Sequence, residues 1–245
     1  MDWVFLHGGE QGSWIWDETI AALHLQAPGQ HRTFALDVPG CGIKRGRETG
    51  EIAFADIVAE LAADVTATGY RDVVLVGHSQ AGTVLPRLAR ALPGVFRRLV
   101  YVSCVAPEPG RGVAEEAHHI HATPGRPLHN ILGNADVPHR DQLRAAFCND
   151  MTPAEAEQFL DRLGEDHWPQ SSWVFRDFSY GEPSPVPASY VLCLIDEILP
   201  PDAQRRFAER FGCERIASIE AGHQVQNTRP HGLAEILRNE GGIGA

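Results

Sequence analysis

The 245-residue sequence has no run of basic residues, no Cys-x-x-Cys pair and no apolar window long enough to cross a bilayer. Its formal net charge of −11 offers nothing to neutralise a phosphate backbone, which argues against a nucleic-acid partner and against anionic membrane surfaces. The five cysteines, at 41, 104, 148, 193 and 213, are odd in number and unpatterned, as expected of reduced thiols rather than a disulfide framework. The opening Met1-Asp2-Trp3-Val4-Phe5-Leu6 shows neither the positive segment nor the apolar stretch of a signal peptide, so a cytoplasmic location is expected. Metal ligands are scarce too. His118, His119 and His121 lie close together, but no acidic or thiol partner stands at a matching spacing, and they read as solvated loop histidines. Neither a metal nor a cofactor is expected.

What is present is the composition of an ordinary globular protein, 43% hydrophobic and 22% charged, long enough for one large domain or a domain with an insertion. The chain is organised around Ser79. The run Asp72-Val73-Val74-Leu75-Val76 reads as a buried strand, followed at once by Gly77-His78-Ser79-Gln80-Ala81-Gly82 and an apolar-periodic helix over residues 83–92, which Pro86 could kink. A serine on a sharp strand-to-helix turn projects its hydroxyl clear of the sheet, and the following N–H points into the same site. Small residues let such a turn close. The Gly-x-Ser-x-Gly pattern is met with Ala81 in the last place, a position expected to need a small side chain against the neighbouring strand. The alternative is an ordinary tight turn.

Around this turn the pattern alternates. Trp3-Val4-Phe5-Leu6 is a strand ending in His7-Gly8-Gly9, with a helix marked by Trp14, Ile15, Ile20, Leu23 and Leu25. Residues 33–38 form a strand, 52–68 a helix stopped by Gly69, and 99–105 another strand. After a long interval, residues 190–195 form a strand ending on Asp196-Glu197. Residues 201–211 form a helix, 214–219 a strand running into His223, and 230–238 a closing helix. This order predicts an α/β fold with a mostly parallel, doubly wound sheet of about six strands, built from residues 1–105 and 188–245.

Residues 106–187 differ in texture and read as a helical cap inserted over the site. Thr152, Pro153 and Glu155 predict a capped helix, and a second helix is expected over 142–148. The apolar members of this segment include Leu128, Ile131, Leu132, Phe147, Phe159, Leu163, Trp168, Trp173 and Phe175. They are candidates for a pocket lining, most of them for packing.

Ser79, Asp196 and His223 each fall just beyond the end of a predicted parallel strand, the edge at which open sheets place their ligand sites. A serine hydroxyl is a poor nucleophile until an imidazole takes its proton, and the imidazole needs a buried carboxylate to hold its tautomer. Asp196 is the preferred acid, with Glu197 and Asp202 as alternatives. Acyl transfer also needs two N–H donors for the developing oxyanion, assigned here to the backbones of Gly9 and Gln80. Candidate pocket residues are Gly8, His78, Trp14, Phe147, Trp168 and Trp173.

With these motifs assembled, the sequence resembles α/β-hydrolase-fold proteins. It is most similar to the branch that holds plant methylesterases, hydroxynitrile lyases and related bacterial esterases. The resemblance runs through His7-Gly8-Gly9, Gly12-Ser13-Trp14-Ile15-Trp16, the Gly77 to Gly82 turn, Val100-Tyr101-Val102-Ser103 with Pro107-Glu108-Pro109-Gly110, and the Asp196 to His223 tail. It implies a serine hydrolase cleaving a small carboxylic ester or lactone through an acyl-enzyme, as a monomer or homodimer. The lyases of that branch carry a threonine and a lysine where this chain has Gly8 and Gln224, which disfavours cyanogenic lyase activity. Two other readings stay open: a C–C bond hydrolase or natural-product tailoring enzyme on the same triad, and a non-catalytic receptor on a hydrolase scaffold.

Overall fold

The computed structural model describes residues 1–178, 180 and 186–242. Six strands, β1 (Asp2–Leu6), β2 (Arg32–Leu36), β3 (Val73–His78), β4 (Phe96–Val102), β5 (Ala188–Cys193) and β6 (Arg215–Ile219), form one sheet in the order β2-β1-β3-β4-β5-β6. Every neighbouring pair is parallel. Parallel strands need crossovers, and these carry α1 (Asp17–Gln26), α2 (Phe54–Ala67), α3 (Leu85–Ala91), α4 (Val113–His121), α5 (His139–Phe147), α6 (Pro153–Arg162), α7 (Ser171–Val174) and α8 (Pro201–Arg210); α9 (Val225–Thr228) and α10 (Pro230–Glu240) follow β6.

Both sheet faces are covered, so the central strands are apolar on both sides. Along β1, Val4 and Leu6 join a core with α2, α3 and α8, while Trp3 and Phe5 join the opposite core with α1 and α10. In β3, Leu75 belongs to the first core, and Val74 and Val76 to the second. This two-residue alternation explains why the strand nearest Ser79 reads as an unbroken apolar run. The strand is fully buried on both faces.

Some boundaries differ from the sequence reading. β4 ends at Val102 because Ser103 turns the chain at φ +39°. β5 ends at Cys193; Leu194 and Ile195 turn outward and are 40% and 41% exposed. Pro86 does not kink its helix. A 3₁₀ turn over Ser79–Thr83 comes first, and α3 then starts at Leu85 with the proline in its first turn, where its missing N–H costs nothing.

Between β4 and β5 lie α4 to α7, over the C-terminal edge of the sheet. Thr152 opens α6, its hydroxyl accepting from Glu155 N while Glu155 Oε2 accepts from Thr152 N. α5 and α6 pair around a small apolar cluster of Cys148, Ala156, Phe159, Leu160 and Leu163. Asp166 ties the segment to the core. Its fully buried carboxylate accepts from Trp14 Nε1, Gly42 N and Arg45 Nε, each at 2.8 Å. Residues 181–185, within the predicted cap, lie outside the described residues.

Candidate active site

Ser79 adopts φ +54°, the left-handed region that β3 and the following 3₁₀ turn impose on the residue between them. Its backbone is pinned to the end of β4: Ser79 N donates to Ser103 O at 3.1 Å, and Val105 N donates to Ser79 O at 3.0 Å. The small residues of the turn have separate neighbours. A Cβ on Gly77 would meet Leu85 at 2.6 Å and the Ala81 methyl at 3.0 Å; one on Gly82 would meet Val105 O at 2.5 Å. So Ala81 lies over Gly77, within the turn itself, and it is Gly82 that packs against the end of β4.

From that turn Ser79 Oγ lies 3.0 Å from His223 Nε2, and His223 Nδ1 lies 2.7 Å from Asp196 Oδ2. His223 is wholly buried and Asp196 nearly so. The second carboxylate oxygen, Oδ1, accepts from Leu199 N at 2.9 Å. The two alternative acids stand elsewhere. Glu197 is only half-buried, and Asp202 is exposed in a bidentate pair with Arg126, which holds its carboxyl down at about 2. His78 backs the site from β3. Its Nε2 donates to His223 O at 2.9 Å, and burial, with the neighbouring His223, keeps the ring well below the ordinary imidazole value.

Gly9 and Gln80 both line the cavity above Ser79. Gln80 stands at the start of a helical turn, where backbone N–H groups have no partner within the helix. The Gly8 carbonyl is held by the His7 Nδ1–H at 2.8 Å and by Trp168 Nε1 at 2.9 Å. Val38 N donates to the other ring nitrogen of His7, so Nδ1 carries the proton. In a trans peptide the N–H points opposite to the C=O, so anchoring the Gly8 carbonyl aims the Gly9 N–H away from those two partners. A Cβ on Gly9 would meet Gln80 Oε1 at 2.4 Å and Trp173 at 2.9 Å, so a larger residue there would have to displace both side chains.

The cavity measures about 270 Å³ and is lined mainly by apolar side chains. Of the six pocket candidates, Phe147 and Trp173 line it. The other four do not. Gly8 lies behind Ser79, where a Cβ would meet the serine Cβ at 2.8 Å. His78 is sealed beneath His223. Trp168 is buried as the anchor of the Gly8 carbonyl, and Trp14 faces a separate polar groove with Glu18 and Arg162. Of the apolar residues of 106–187 singled out from the sequence, Leu132 also lines the cavity, while Leu128, Phe159, Leu163 and Phe175 pack in cores or against them.

Much of the remaining lining comes from α4, which the sequence reading missed. Val113, Ala117 and His121 face the cavity at four-residue spacing. The loop assigned to the three histidines is thus the last turn of a helix, with His118 and His119 exposed and His121 buried. A signal was present. Glu115 accepts from Gly112 N at the first turn, and three histidines complement the dipole at the last.

Comparison with known proteins agrees with this architecture. A carbendazim-hydrolyzing esterase from Nocardioides sp. is 31% identical over 96% of this chain and 98% of its own length. Polyneuridine aldehyde esterase from Rauvolfia serpentina is 25% identical over 96% and 93%. Among solved structures, an extracellular alpha/beta-hydrolase from a Paenibacillus species superposes with a TM-score of 0.77 at 20% identity, covering 98% of both chains. The family model for the alpha/beta hydrolase family matches residues 3–236, nearly the whole chain. This chain belongs to the alpha/beta hydrolase family.

Proposed function

We propose that the protein is a serine esterase acting on a small, uncharged carboxylic ester or lactone. The observation that carries this reading is the relay Ser79 Oγ to His223 Nε2 at 3.0 Å and His223 Nδ1 to Asp196 Oδ2 at 2.7 Å, opening on an apolar cavity. Relatives named as esterases, spanning nearly the full chain, support ester hydrolysis as the reaction class.

Each group has one task. Ser79 Oγ forms a bond to the ester carbonyl carbon as its proton passes to His223 Nε2, and the carbonyl oxygen becomes an anion. The Gly9 and Gln80 N–H groups hold that anion; two donors fixed before the reaction need no rearrangement as charge develops. Collapse of the intermediate breaks the bond to the alkoxide, which takes the proton from His223 and leaves as an alcohol. Water then gives a proton to the same nitrogen and attacks the acyl carbon; the bond to Ser79 Oγ breaks as His223 returns the proton to that oxygen, and the acid leaves. Asp196, buried and accepting from His223 Nδ1, keeps Nε2 aimed at the serine and stabilises the imidazolium formed midway.

The cavity narrows the substrate. At about 270 Å³ it lies at the lower end of small-molecule sites, and among the described residues no lysine or arginine lines it. An ester carrying a carboxylate or phosphate would lose its hydration without gaining a counter-charge. Gln224, in the place of the lyases' lysine, is buried and directed to Gln226, whose Nε2 donates to its Oε1. That favours hydrolysis over cyanohydrin cleavage. The test is turnover of short p-nitrophenyl esters by the wild type and Ser79→Ala. A loss of several orders of magnitude is expected, and equal turnover would sink the assignment.

A further inference from the structure

The cavity above Ser79 has one feature that an apolar ester alone does not call for. Val113 and Ala117 on the facing side of α4 suit an apolar wall, but the third residue of that face is His121. It is 6% exposed, and among the described residues neither ring nitrogen has a hydrogen-bond partner of good geometry, although the Ile198 backbone lies near the ring. Buried polar side chains nearly always have partners, and one left bare on the wall of a binding cavity points to a partner carried by the ligand. The other two histidines of the wall differ from it. His223 has both nitrogens engaged, and His139 is exposed at the rim.

The chemistry of the missing partner follows from the ring's surroundings. Burial holds His121 below the ordinary imidazole value, so at neutral pH it carries one N–H and one bare nitrogen. The nearby Ile198 backbone favours the protonated ring and so offsets part of the effect of burial. Charges on Arg126 and Asp196 act on the ring in opposite senses. The bare nitrogen remains for the cavity. Among the described residues, Gln80 Oε1 is a second buried, unpartnered acceptor on this wall, and Glu10 also lines it. Acceptors select an O–H or N–H donor, and the mainly apolar walls, which would strip a charged group of its hydration, favour a neutral one.

We propose that His121 is a specificity-determining residue: it accepts a hydrogen bond from an uncharged hydroxyl or N–H that the substrate carries away from its ester group. The preferred substrate is then a small, mainly apolar ester bearing one such donor. This rests on the esterase reading and adds the substrate class to it.

The test uses matched methyl phenylacetates and benzyl acetates carrying hydroxyl, methoxy or methyl at the meta or para ring position. Hydroxyl and methyl are alike in size, and methoxy can accept but not donate. The wild type is expected to favour one hydroxyl ester over its methyl and methoxy partners by about tenfold or more in kcat/KM, the range of one well-placed hydrogen bond. His121→Phe should bring that ratio close to one, the comparison being made between the matched esters within the variant. His121→Gln, which restores an acceptor, should regain part of the preference and provides the reading if the phenylalanine variant fails to fold. Absence of any hydroxyl preference in the wild type, or its persistence in His121→Phe, would overturn the proposal. If the wild type hydrolyses none of these esters, the esterase reading fails separately. The same pairs are then titrated as ligands of wild type and variant, with the ratio of Kd values read in the same way.

Discussion

Ser103 Oγ lies 2.5 Å from Asp196 Oδ2, the same carboxylate oxygen that faces His223 Nδ1 at 2.7 Å. The hydroxyl reaches it because Ser103 sits in a left-handed turn just after β4, fully buried, with its carbonyl taking Ser79 N. One residue thus touches both ends of the relay, through its side chain at Asp196 and through its backbone at Ser79. A hydrogen bond to a charged group is worth about 1.5–3 kcal/mol. Ser103→Ala is therefore expected to lower kcat by about tenfold to a hundredfold while KM changes little, since the residue does not line the cavity. Steady-state kinetics on a p-nitrophenyl ester checks this, and an unchanged kcat would remove Ser103 from the account.

Trp168 makes a second prediction, through the Gly8 carbonyl. Replacing it with phenylalanine keeps the aromatic bulk and deletes the Nε1 donor, leaving His7 as the one remaining anchor of that carbonyl. Complete loss of one oxyanion donor costs about a hundredfold to a thousandfold. A loosened peptide should cost less, about tenfold in kcat. Binding of a boronate that mimics the tetrahedral intermediate should weaken in parallel, because both report the same anion. A fall in kcat with unchanged boronate affinity would contradict the role.

Asp166 makes a third. Burial alone would raise its carboxyl, but the donors Arg45, Trp14 and Gly42 outweigh it and hold the group below the ordinary aspartate value of 3.8. A carboxylate whose folded value is depressed contributes stability that is present above its unfolded value and lost as pH falls through the folded one. Asp166→Asn should therefore cost about 3 kcal/mol at neutral pH, and the gap to wild type should narrow below about pH 4. Urea denaturation at the two pH values measures both quantities.

The alternation of apolar strands and periodic helices is legible in the chain because the central strands must fill two cores. The order Ser79, Asp196, His223 is legible because parallel strands deliver their ends to one edge. What the sequence hides are contacts that depend on a third partner. Trp168 looks like a pocket aromatic until the Gly8 carbonyl is seen in front of its indole nitrogen. α4 is nine residues long with three histidines in its last turn, too short and too polar for apolar periodicity to stand out. Ile198 and Leu199 line the cavity because the loop after β5 curls back, so that Leu199 N reaches Asp196. A residue list without that loop gives no hint of it.

Buried histidines set the acid limit of the fold. His7, His78 and His121 are each held below the ordinary imidazole value of 6.5, with burial the leading cause in all three. Below that pH the unfolded chain takes up protons that the folded protein refuses, so stability rises with pH through this window and falls as it is acidified. Each such histidine contributes at most about 1.4 kcal/mol per pH unit, a limit approached only below 6.5. Chemical denaturation between about pH 7 and pH 5.5 should show stability falling on acidification, and His78→Gln should flatten that dependence. A pH-independent stability across the window would contradict the neutral, buried state of these rings.

The role of Ser79 as nucleophile is open to a direct test, mass spectrometry of the protein after reaction with a fluorophosphonate ester. One adduct per chain is expected, located on the peptide that contains Ser79 and formed in step with loss of ester hydrolysis. Ser79→Ala and His223→Ala should not be labelled. Labelling at another residue, or hydrolysis that continues after Ser79 is fully modified, would contradict it.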